Sequence, residues 1–133
     1  MSEPMQSPFV LLGGAERARA IAATFYDIMD RDEPRLAKLH TLDDEGRVHP
    51  SAREKFALFF VGWLGGPQDY VARHGHPRLR MRHMHVPIDM EMRDAWLRAM
   101  SRALDEHGVE GTLRSFLDAK LRDLADHMRN IHG

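Results

Sequence analysis

The chain has 133 residues, 19 Lys and Arg against 20 Asp and Glu, and no cysteine. That length suits one domain, residues 1–133, with a real core. The near-zero net charge argues against a dedicated nucleic-acid binder, and the missing thiols remove a disulfide framework, a thiolate metal site and a thiol nucleophile.

No apolar run approaches the roughly 18 residues of a membrane span. The N-terminus lacks the basic region and apolar core of a signal peptide. A cytoplasmic protein without membrane or nucleic-acid partners is therefore expected, in keeping with its cysteine-free composition.

Residues 1–8 carry two prolines and read as a loose lead-in. Phe9 to Leu12 is a short apolar patch able to dock on a core, and Gly13-Gly14 breaks it. From Ala15 the residues Ala18, Ile21, Ala22, Phe25, Ile28 and Met29 recur at three- and four-residue steps, one stripe of a helix. Asp30 to Glu33 is its polar end, and Pro34 opens a short turn or helix to Leu39. His40 to Pro50 is a polar connection. Ser51 and Glu54 have the spacing of a capping box, ahead of a helix whose wide face holds Ala52, Phe56, Phe59, Phe60 and Trp63. Gly65-Gly66-Pro67 stops it. Asp89 starts the clearest helix, with Met92, Trp96, Ala99, Met100, Ala103 and Leu104 on one stripe and Gly108 at its end. A last helix runs from about Thr112 to Met128, with Leu113, Phe116, Leu117, Leu121, Leu124 and Met128 facing inward. No segment alternates in the manner of a strand. The expected fold class is all-α, four main helices around a central irregular segment.

That central segment, His74 to Pro87, reads HGHPRLRMRHMHVP, with four histidines and three arginines. A neutral imidazole coordinates iron, copper or zinc, and guanidinium pairs with carboxylate or phosphate. A ligand offering both a metal and anionic groups fits, and haem is one. A basic turn facing solvent fits the same composition. A zinc or copper site is a further alternative, although the spaced pairs of a recognised zinc motif are absent.

Taken together, several motifs resemble a known family. Leu64-Gly65-Gly66-Pro67, then Tyr70, then Gly75-His76-Pro77-Arg78-Leu79-Arg80-Met81-Arg82-His83, then Arg93-Asp94-Ala95-Trp96-Leu97, with the Phe25-Tyr26 pair, resemble the truncated haemoglobins of group II. The resemblance covers about Phe9 to about Met128. It implies a two-over-two helical globin sandwich around a b-type haem.

The resemblance places His83 as the proximal iron ligand, a neutral imidazole whose other nitrogen is held by a hydrogen bond. It puts Arg82 on a haem carboxylate, with Arg80 and Tyr70 at the same edge. His76 shapes the turn or approaches a propionate, and His74 and His85 read equally as solvent-facing. On the ligand side it implies the indole N–H of Trp96 and the hydroxyl of Tyr26. Each of these two is equally a core or interfacial aromatic. His40 stands where many members carry tyrosine, and would add a donor able to hold a proton near neutral pH. Ala52 is too small to donate, and Phe56 walls the cavity. The implied function is reversible binding of dioxygen, CO, NO or peroxide. Three donors over one ligand predict slow dioxygen release, which suits sensing or redox chemistry. The alternative is an enzyme, either peroxidase-like or converting nitric oxide to nitrate, served by an unidentified reductase. The chain reads as monomer or homodimer.

Overall fold

The computed structural model describes residues 7–78, 83, 84 and 86–130, and these fold as helices and turns. Seven helices are seen among the described residues: α1 (Pro8–Leu12), α2 (Gly14–Asp32), α3 (Pro34–Ala37), α4 (Pro50–Trp63), α5 (Asp69–His74), α6 (Met90–Glu106) and α7 (Gly111–Met128). The long ones begin and end where the local chemistry says they should. Asp89 caps α6, its carboxylate accepting the Met92 N–H at 2.9 Å. Gly13 ends α1 with φ at 115°, a left-handed conformation that costs a side-chain-bearing residue dearly, so α1 turns straight into α2.

Two starts differ from the sequence expectation. Ser7 and Pro8, read as the end of a loose lead-in, cap and open α1. The Ser7 hydroxyl accepts the Val10 N–H, and the Phe9 N–H donates to the Leu64 carbonyl at 2.9 Å. Residues 1–6 lie outside the described residues. At α4 the cap is His49, whose Nδ1 accepts the Ser51 N–H at 3.0 Å, and not Ser51 with Glu54. Proline is preferred at a first helical position, and Pro50 moves the start two residues earlier. Glu54 instead pairs with Arg19 across to α2.

The architecture is two helix pairs, α2 with α4 and α6 with α7, joined chiefly where α2 lies on α6; α1 touches both α2 and α7. Every residue of the predicted α2 stripe is buried, as are Met92, Ala99, Met100, Ala103 and Leu104 of α6. Alanines where α2 and α6 meet (Ala18, Ala22, Ala99, Ala103) allow close helix approach. On α7 the buried set is Leu117, Leu121 and Ala125, while Phe116 is 46% exposed beneath Lys120.

The connection from His40 to Pro50 is pinned to α2. The Asp30 carboxylate accepts the Val48 N–H at 3.0 Å and pairs with Arg53 of α4, and Leu42 bridges Val48. After α4, the Gln68 amide donates to the carbonyls of Gly62 and Gly66 at 3.0 and 3.1 Å, closing the glycine turn.

Candidate functional site

The site begins with α2. Phe25 and Tyr26 are adjacent, so their side chains leave the helix about 100° apart, and both are buried. Phe25 packs on α6 through Trp96, ring centroids 5.4 Å apart and edge-on. Tyr26 turns toward the segment after α3, where the His40 ring meets it perpendicularly at 5.7 Å. Phe56 of α4 sits at the centre, with centroids 5.2 Å from Phe25, 5.6 Å from Tyr26 and 6.4 Å from Trp96. Four separate elements thus deliver Tyr26, His40, Phe56 and Trp96 to one place. Phe56 continues into a wall on α4 that includes Phe59, Phe60 and Trp63, with Phe60 stacked at 5.7 Å on Phe56 and at 6.0 Å on Trp63. Ala52, half-buried, packs against the same core one turn before Phe56.

The polar groups are sparse and specific. Burial pushes the Tyr26 phenol far above its usual range, against the lowering pull of Arg53, whose guanidinium lies 5.6 Å from the ring centre. Tyr26 therefore keeps its proton and can serve as a hydrogen-bond donor. Neither its hydroxyl nor the Trp96 indole N–H hydrogen-bonds to another described residue. His40 Nδ1 lies 3.1 Å from the Leu36 carbonyl, which only accepts, so Nδ1 carries the proton and the neutral ring offers Nε2 as an acceptor. Burial lowers the proton affinity of His40, against the raising pull of the Leu36 and Ala37 backbone.

His83 occupies a turn between α5 and α6 and is half-buried. Its carbonyl accepts the Val86 N–H at 2.9 Å and the Asn130 side-chain amide at 2.9 Å. Tyr70 is buried on α5, 6.1 Å from Phe59 and 5.1 Å from His74 between ring centres. His74 is thus the half-buried neighbour of Tyr70 and not a freely solvated side chain. His76 is exposed, beyond the end of α5. Arg80, Arg82 and His85 lie outside the described residues. Sequence reasoning missed α5, Phe25 as the link from Phe56 to Trp96, the Arg53–Asp30 pair behind Tyr26, and Asn130. A six-residue helix carries too little periodicity to detect, and no local pattern marks an asparagine beyond the last helix.

The residues fit a haem. A porphyrin supplies four nitrogens, so one imidazole from the protein completes its attachment. The apolar wall of Phe56, Phe59 and Trp63 suits a macrocycle, and the two donors that bond no other described residue suit a polar ligand beside it. Among the described residues no three His, Asp or Glu side chains converge to hold a metal by themselves.

Two helix pairs closing on an aromatic cluster with His40 at its edge are the arrangement of a small globin. The family model for bacterial-like globins matches residues 7–130. The group 2 truncated hemoglobin YjbI of Bacillus subtilis is 36% identical over 130 residues, 98% of this chain and 93% of that protein. Among solved structures, the cold-adapted truncated hemoglobin of the Antarctic marine bacterium Pseudoalteromonas haloplanktis TAC125 superposes with a TM-score of 0.86 at 43% identity, covering 96% of this chain and all of that one. The group II 2-on-2 hemoglobin of Agrobacterium tumefaciens gives 0.85 at 36% identity, with 98% of each chain covered.

The chain belongs to the group II truncated haemoglobins, within the bacterial-like globins. Membership implies haem-based binding of small gaseous ligands, and the fold is the two-over-two helical sandwich.

Proposed function

We propose that this chain holds haem iron through His83 and binds dioxygen and other diatomic ligands beneath Tyr26, Trp96 and His40. The observation that carries this reading is the convergence of Tyr26, His40, Phe56 and Trp96 from four elements, with two donors that bond no other described residue. When bound, haem supplies an iron that takes up a diatomic ligand and shifts negative charge onto it. The Tyr26 hydroxyl and the Trp96 N–H then donate toward that charge, in a setting where burial strengthens each bond. His40, neutral and presenting Nε2, accepts a proton or a hydrogen bond from the same side, a narrower role than that of an added donor. Phe56 excludes water, and Ala52 leaves room without adding polarity. Arg80, Arg82 and Tyr70 take the carboxylate edge, and His76 the turn beside it.

Haem of type b agrees with the absence of cysteine, since thioether attachment needs thiols. A cytoplasmic location and service by a reductase complete the reading, with the chain as monomer or homodimer. No helix among the described residues is long and apolar enough to cross a membrane.

The test is the visible absorption spectrum of the purified protein, ferric, reduced and reduced with CO, beside His83→Ala. A Soret band that shifts with CO and is lost or altered in the variant supports the assignment. Folded protein that takes up no haem sinks it.

His40 favours a second reading, peroxide-dependent oxidation. A half-buried neutral imidazole whose Nε2 is an acceptor is placed to take a proton from hydrogen peroxide. Turnover above that of free haemin, and its loss in His40→Phe, would support it. Parity with haemin in the wild-type protein would rule against it.

A further inference from the structure

Asn130 lies two residues beyond α7 and closes a ring of hydrogen bonds on the segment that carries His83. Its side-chain nitrogen donates to the His83 carbonyl at 2.9 Å and to the Val86 carbonyl at 2.7 Å. Its side-chain oxygen accepts the Ile88 N–H at 2.9 Å, and its own N–H donates to the Ile88 carbonyl at 2.9 Å. Both amide protons and the amide oxygen are used. The partners also decide which end of the amide is which, because carbonyls need the NH2 group and an N–H needs the oxygen.

These contacts fall where the chain is most in need of them. Between His83 and the start of α6 there is no helix among the described residues, and the Val86-to-His83 bond closes the turn locally. Asn130 spans that gap, touching the backbone of residues 83, 86 and 88. The His83 carbonyl is thus held from outside its own segment as well as by Val86 within it.

We propose that Asn130 is a positioning residue for His83: the end of the last helix sets the tilt and reach of the iron-binding imidazole through this three-bond clasp. The inference rests on His83 being the iron ligand. Outer groups that orient a ligating histidine change the metal–ligand bond itself and not only stability. Asn130 thereby ties the proximal side of the site to α7, an element that contributes none of the aromatic residues around Phe56.

The experiment uses the haem-loaded protein, wild type, Asn130→Ala and Asn130→Asp, with two readouts. Backbone hydrogen exchange at Ile88 reports the clasp directly, and exchange in Asn130→Ala should be about 10-fold faster or more, as for an amide that has lost its partner. Resonance Raman of the reduced, ligand-free protein reports the iron–imidazole stretching band. That band should shift or split in Asn130→Ala, and likewise in Asn130→Asp, which keeps the size of the side chain and loses both donated bonds. Gly66→Ala, whose added Cβ would stand 2.5 Å from the Phe9 ring, should leave it in place. A band unchanged in position and width in both Asn130 variants, with the Soret band intact, overturns the proposal and leaves Asn130 a purely structural residue. Absence of the band from the wild type overturns the His83 assignment itself, and this inference with it.

Discussion

His40 concentrates the electrostatics of the site. Its ring is held neutral by burial, against the opposing pull of the Leu36 carbonyl that accepts its Nδ1 proton. A histidine whose proton affinity is lower folded than unfolded contributes stability in full above the unfolded value, about 6.5. That stability is lost as pH falls below it, because the unfolded chain takes up the proton first. Guanidinium unfolding at pH 7.5 and 5.5 should therefore show a larger loss for the wild type than for His40→Phe; equal losses would mean that His40 does not titrate on unfolding. Tyr26 has the opposite sign and a different consequence. Its raised affinity keeps the phenol protonated throughout the accessible range, so its donor role is independent of pH. A neutral hydrogen bond contributes about 1 kcal/mol, so Tyr26→Phe and Trp96→Phe should each speed dioxygen release about 5-fold. Stopped-flow mixing would measure it, and unchanged rates in both variants would show that neither donor faces the ligand.

At the scale of the element, α6 and α4 carry the site to its place, and their ends are where they can be weakened selectively. Removing the Asp89 cap by Asp89→Ala should cost about 1 kcal/mol, read as a lower denaturation midpoint with the slope unchanged. The turn after α4 is less forgiving. A Cβ on Gly66 would stand 2.5 Å from the Phe9 ring and 2.9 Å from the Val61 carbonyl, so one of them must move. Gly66→Ala should therefore cost about 1–3 kcal/mol, the range for forcing extra volume into packed structure. Calorimetry on the two variants would check both figures. The stripes of α2 and α6 were legible residue by residue because amphipathic period and burial coincide there. Phe116 departs from that coincidence. It shares the spacing of the α7 stripe, yet α7 has a neighbour on only part of its surface, so the edge of the stripe meets water.

For the whole molecule, the two helix pairs are held together by apolar contact and tied by a few side chains that reach between elements. Asp30 is one, serving the Val48 N–H and Arg53 together from a side chain only 10% exposed. Asp30→Ala should cost about 1–3 kcal/mol by leaving both groups short of a partner. Thermal unfolding should show it, with the largest exchange increase at Val48. Haem acts at the same scale by mass action. A ligand that binds only the folded state stabilises by about 4 kcal/mol at a thousand times its dissociation constant. Removing haem should thus lower the melting temperature, and His83→Ala should narrow the gap between the two forms.

The sequence by itself determined the helical class, the two main stripes, the breaks at Gly13 and Gly65-Gly66, and, through the motif ending at His83, the family. These are local properties, carried by spacing within one helix or by neighbours along the chain. The tertiary structure alone decided that Phe25 and Phe56 join Tyr26 to Trp96, that His40 spends its Nδ1 proton on Leu36, and that Asn130 closes on the His83 turn. Each of the last three depends on groups brought together by packing between separate elements, or on which of several partners a side chain meets once packed. Such choices leave no trace in spacing, because the free energy that makes them exists only after the elements have met.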